Sequence, residues 1–120
     1  MDFLVNLDVD DLERGVDFYG SLFGLQVGRR LGGYAVELLG GPAPIYLLQK
    51  NADSAATPDG SQQRHYGRHW TPVHLDFVVD DIESATAKAI ARVRGWNSRS
   101  RPKAGAAWRC WPPLSDTASA

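Results

Sequence analysis

Apolar and polar residues alternate from the start of the chain. Phe3, Val5, Leu7 and Val9 fall on one side of a period-two pattern, and Leu4, Asn6 and Asp8 on the other. Such alternation predicts a strand with one wet face. Asp10-Asp11 follows, and a carboxylate there can accept from the open backbone N–H groups of a first helical turn. Leu12, Val16, Tyr19 and Phe23 then recur at helical spacing, which predicts one apolar helix face that Gly24 brings to a stop. Three short β-prone runs at 26–31, 34–39 and 45–49 are divided by Gly32-Gly33 and Gly40-Gly41-Pro42, both turn signals. The order over residues 3–50 is βαβββ.

Residues 51–72 are polar and turn-rich, with Pro58, Asp59-Gly60 and Gly67, and read as a linker. Val73–Val79 is again an apolar strand, and Asp80-Asp81 again caps a helix, whose buried side is predicted at Ile82, Ala85 and Ala89. Val9-Asp10-Asp11-Leu12-Glu13 aligns without a gap on Val79-Asp80-Asp81-Ile82-Glu83, an internal repeat of a strand–cap–helix unit. The expected fold class is α+β in a single domain. It consists of a complete βαβββ module (3–50), the linker (51–72), the first strand and helix of a second module (73–91) and an irregular tail (92–120).

Total composition excludes more than it assigns. A chain of 120 residues with a net charge of −1 is no obvious partner for nucleic acid or a membrane surface. Cys110 is the only cysteine, so no internal disulfide can form. With neither a leader pattern nor an apolar run of spanning length, the expected location is cytoplasmic. The charge is unevenly spread, however: residues 1–91 carry −6 and residues 92–120 carry +5, together with Trp96, Trp108 and Trp111.

The segment from Phe3 through Leu25, with Asp11-Leu12 and Phe18-Tyr19, resembles the opening of glyoxalase, bleomycin-resistance and extradiol-dioxygenase proteins. His69 through Ala85 resembles the start of their second module. These are members of the vicinal-oxygen-chelate superfamily, and the resemblance spans residues 3–91. It implies two βαβββ modules whose curved sheets form a cup, usually lined by metal ligands and often completed by a homodimer. Of the ligand positions of metal-dependent relatives, the first-strand pair maps to Leu4 and His74, and the last strand of module one supplies Tyr46. Leucine binds no metal, and one imidazole does not hold a divalent ion tightly. The expectation is therefore a cup without a metal or other cofactor, His74 being a ligand only if a divalent metal is present.

The tail from residue 92 lacks alternation and contains Pro112-Pro113 among scattered arginines. Read one base out of frame with GC-rich codons, it yields a Gly-Ala turn, an apolar strand and a Pro-x-Gly hairpin. That series resembles the missing end of the second module, which points to a frameshift near residue 92.

Two functions compete on these residues. The favoured one is binding of a small apolar or planar molecule in a cup walled by Tyr34, Tyr46, Trp70 and Phe77, with His74 facing the ligand. The other is a lyase or dioxygenase working through His74; an inactive product is a third outcome if the tail is as written. No catalytic residue is assigned. Glu37 could act as a general base, but an outward position on the wet sheet face is the simpler expectation. His65 and His69 belong to a solvated loop, and Cys110 has no assigned role. Asp11 and Asp81 are assigned to helix capping.

Overall fold

The structure is a computed structural model, and it describes residues 1–67 and 69–99. The elements are β1 (Val5–Val9), α1 (Leu12–Phe23), β2 (Gln26–Leu31), β3 (Ala35–Leu39), β4 (Ile45–Gln49) and α2 (Ile82–Arg99). The first five form the expected βαβββ module. Its mixed sheet has the order β1-β4-β3-β2, with β1 parallel to β4 and the other neighbours antiparallel. Strand β1 begins at Val5 rather than Phe3, which is two-thirds exposed. Its ladder opens where Val5 N–H donates to the Pro44 carbonyl at 2.9 Å, so residues before it have no partner strand.

Alternation divides the sheet as the sequence requires. Val5, Leu7 and Val9 of β1, Val36 and Leu38 of β3, and Ile45 and Leu47 of β4 pack with Leu12, Val16 and Tyr19 of α1. Val36, Leu38 and Leu47 are completely enclosed there. The opposite face, which the family resemblance makes the cup side, carries Asn6, Tyr46 and Glu37 in one row, since Tyr46 is the registered partner of both others. Helix α1 is set by its ends: the Asp11 carboxylate accepts from Arg14 N–H at 3.1 Å, and Gly24 closes the helix at φ 66°. Gln49 of β4 adds a further tie, its Oε1 accepting from Leu12 N–H at 3.1 Å.

The second half departs from expectation in three ways. Residues 73–79 form no strand. Alternation assigns side chains to faces but supplies no neighbour, and a strand exists only by its ladder. The part of the expected irregular tail beyond residue 99 lies outside the described residues. Helix α2, secondly, does not end near residue 91 but continues to Arg99, so residues 92–99 are helical rather than irregular. Thirdly, of its expected buried side only Ala89 is buried, while Ile82 is 65% exposed. Among the described residues, no sheet underlies the first turn of α2. The helix instead leans on α1, where Arg92 Nη1 donates to both carboxylate oxygens of Asp17 at 2.8 and 3.0 Å.

The linker is more ordered than its composition predicts. It folds back on itself through an Ala55–Gln63 bridge, with Ala56 N–H donating to Gln62 O and Arg64 N–H to Ser54 O, both at 2.8 Å. Arg64 Nε then donates to Asp8 of β1 at 2.8 Å, fastening this loop to the edge of the sheet.

Candidate functional site

The cup-side face of the first module gathers three polar side chains from three strands. Glu37 lies on β3, Tyr46 beside it on β4, and Arg29 on β2 where the β2–β3 register slips between Val27 and Arg30. That slip is a bulge, and it occurs at Gly28. A Cβ on Gly28 would stand 2.5 Å from Glu37 Oε2 and 2.8 Å from Leu39 Cδ1, so the bare backbone makes room for the carboxylate. Arg29 N–H then donates to Glu37 Oε2 at 3.1 Å, as does its Nε at 3.3 Å, while Nη2 donates to Oε1 at 3.1 Å. The Tyr46 hydroxyl donates to Glu37 Oε1 at 2.5 Å and accepts from Arg29 Nη2 at 2.6 Å.

These contacts fix the charge state of the centre. Glu37 is buried, yet its pKa is lowered to about 2, first by the Arg29 side chain, then by the Tyr46 hydroxyl and the Arg29 backbone N–H. An anion held that low is an acceptor only and a poor proton acceptor at neutral pH, where a general base needs a value near the working pH. The general-base reading of Glu37 is thus unsupported by its surroundings. The expected outward, wet position is corrected too: on the face of the sheet opposite α1, the long side chains of Arg29 and Tyr46 cover the carboxylate. Arg29 itself remains 68% exposed in its side chain and forms the open rim of the trio. Its guanidinium is held still more firmly protonated, chiefly by the Glu37 hydrogen bond.

Of the five residues expected to line the cup, only Tyr46 joins this centre. Tyr34 sits at the β2–β3 turn and Trp70 in the segment after the linker, both exposed. His74 is exposed in the unpaired 73–79 segment, with no ladder to impose a face on it. Phe77 lies on the helix side: its ring stacks on Phe23 of α1, centroids 3.9 Å apart and planes 9° apart, with Tyr19 at 6.2 Å. Beside it runs an open groove of about 490 Å³, lined by residues including Leu25, Pro42, Phe77, Val78 and Lys88. That groove is separated from the trio by the sheet. Arg29 was missed by sequence reasoning, although a glycine inside a β-prone run, as at Gly28, is the signal of a bulge.

The metal centre that the cup architecture implies does not fit these residues. Leu4 offers no donor, the Tyr46 hydroxyl is committed to Glu37 and Arg29, and among the described residues no three His, Cys, Asp or Glu side chains cluster to hold an ion. No helix among the described residues is long and apolar enough to cross a membrane.

Comparison with known proteins gives one family. The model of the glyoxalase-like domain matches residues 4–108, running past residue 91, where the sequence resemblance was expected to end. The crystal structure of lactoylglutathione lyase from Agrobacterium tumefaciens aligns with 81% of this chain and 70% of that one, at 20% identity and a TM-score of 0.44. The crystal structure of SMU.1112c aligns with 76% of this chain and 73% of that one, at 20% identity and a TM-score of 0.48. No curated protein sequence matches.

Proposed function

This chain belongs to the glyoxalase-like domain family of the vicinal-oxygen-chelate superfamily, and from that premise we propose that it binds a small, planar or apolar molecule on the cup-side face, without a metal. The observation that supports this reading is the Glu37–Tyr46–Arg29 centre. Its Tyr46 is the residue that the family resemblance assigns to a metal-ligand position, and the centre's own hydrogen bonds engage that hydroxyl instead. A ligand would lie over the phenol ring of Tyr46, with an acceptor group directed to the exposed guanidinium of Arg29. Proton transfer is not the natural chemistry of this centre, because its carboxylate stays ionised and its phenol donates to that carboxylate.

The test is a binding screen of planar aromatic molecules, followed by intrinsic fluorescence on the protein freed of metal by chelation. A hit whose affinity falls about tenfold in Arg29→Ala, and changes in Tyr46→Phe, supports the reading. Turnover that demands a divalent ion and disappears in His74→Ala would replace it with the lyase or dioxygenase reading.

A further inference from the structure

We propose that His65 and His69 form a two-imidazole site for a borderline divalent cation, Zn2+ or Ni2+, outside the cup and independent of any ligand bound there. The two residues lie in the loop that leads away from the Arg64–Asp8 fastening, and both are exposed. Sequence spacing alone brings them together only on a helix, but here the two rings meet although neither residue is helical, with ring centroids 5.9 Å apart and planes at 66°.

Two features make the pair more than neighbours. The first is the tautomer of His69. Its Nδ1 lies 2.8 Å from the Gly67 carbonyl oxygen; a carbonyl only accepts, so Nδ1 carries the proton. In the neutral ring Nε2 then bears the lone pair. A backbone carbonyl on the far nitrogen is the usual device that orients a metal-binding imidazole. The second feature is spacing. With Zn–N bonds of 2.0–2.1 Å, a ring centroid stands about 3.2 Å from the ion, so two rings at a tetrahedral angle are about 5.3 Å apart. The observed 5.9 Å closes to that value by small rotations of two exposed side chains. Imidazole is a suitable donor for Zn2+ and Ni2+ but not for Mg2+ or Ca2+, which prefer oxygen. Two protein ligands leave the remaining positions to water, so the site is weaker than a three-ligand centre and open to exchange.

Isothermal titration of the chelator-treated chain with Zn2+ and with Mg2+ tests the site. One saturable Zn2+ per chain is expected, with no Mg2+ response. The affinity falls at least about tenfold in His65→Ala and in His69→Ala, a loss of the size seen when metal-site support is removed, and is unchanged in His74→Ala. Nitrogen NMR of the imidazoles gives a second readout, in which Zn2+ shifts Nε2 of His69 and leaves Nδ1 protonated. The proposal is overturned by an absence of saturable Zn2+ binding, by binding indifferent to both substitutions, by loss of binding in His74→Ala, or by metallation at His69 Nδ1.

Discussion

Glu37 carries a full negative charge into the middle of a sheet, and four donors keep it there. Its folded-state pKa, lowered from 4.5 to about 2, makes the linkage explicit. The folded state holds its proton less tightly than the unfolded chain does, so the stabilisation is complete above the unfolded value and is lost as pH falls through about 2. Stability should therefore decline between pH 4.5 and about 2, and Glu37→Gln should flatten that part of the curve in urea melts. Asp59, lowered to about 2 mainly by the Thr57 hydroxyl and then by Ser61, titrates over the same interval. The comparison is accordingly made in an Asp59→Asn background, and a slope unaffected by Glu37→Gln there contradicts the assignment. Gly28→Ala attacks the same centre sterically, because its Cβ meets both the Glu37 carboxylate and Leu39. A loss of about 1–3 kcal/mol is expected, the usual penalty for overpacking; an unchanged urea midpoint would show that the bulge relaxes freely. Glu37 was legible in the sequence as an acid within a β-prone run, though one expected to face outward. Its partners were not, because the bulge that turns Arg29 toward it shifts the register by an amount no alternation records.

Elements were legible to the extent that their partners are local. Helix α1 has its cap, its stop and its apolar spacing within a few residues, and β2 and β4 lie where their flanking turns put them. Residues 73–79 show the reverse case: the same alternation, without a neighbouring strand among the described residues, gives no ladder. The repeated caps allow a paired prediction. Asp11 accepts from Arg14 N–H at 3.1 Å, and Asp81 from Ser84 N–H at 3.0 Å. Asp11→Ala should lower global stability by about 1 kcal/mol, because α1 packs on the whole core. Asp81→Ala should leave the urea midpoint almost unmoved and instead speed amide exchange in the first turn of α2, since among the described side chains of that helix only Ala89 is buried. Equal midpoint shifts for the two variants would mean that α2 is as tightly coupled to the core as α1.

At the scale of the whole molecule the two halves are unequal. The first module encloses its core, whereas Val73, Val78 and Ile82 of the second half are 72%, 101% and 65% exposed. An apolar run of this kind is ordinarily covered by further strands or by a partner. The charge balance reverses after residue 91, which motivates our proposal that the reading frame departs downstream of it from one encoding the remaining strands. The family match to residue 108 and the course of α2 to Arg99 stand against a departure as early as residue 92. Sequencing the coding DNA across codons 88–100 should reveal a one-base shift. A chain with the frame restored should melt at a higher temperature and bind less of a hydrophobic dye. A confirmed single frame, or no difference between the two chains, removes the proposal.

The parallel pairing of β1 with β4 also sets an order of events. Val5 registers with Ile45, across most of the module, whereas β2, β3 and β4 join their neighbours through short turns. Contacts between distant residues carry the larger loop-closure entropy, so the antiparallel meander can assemble before β1 docks. On a ribosome, which releases the amino terminus first, the first strand emerges without a mate. It waits, edge open, until the last strand of its own module has been made.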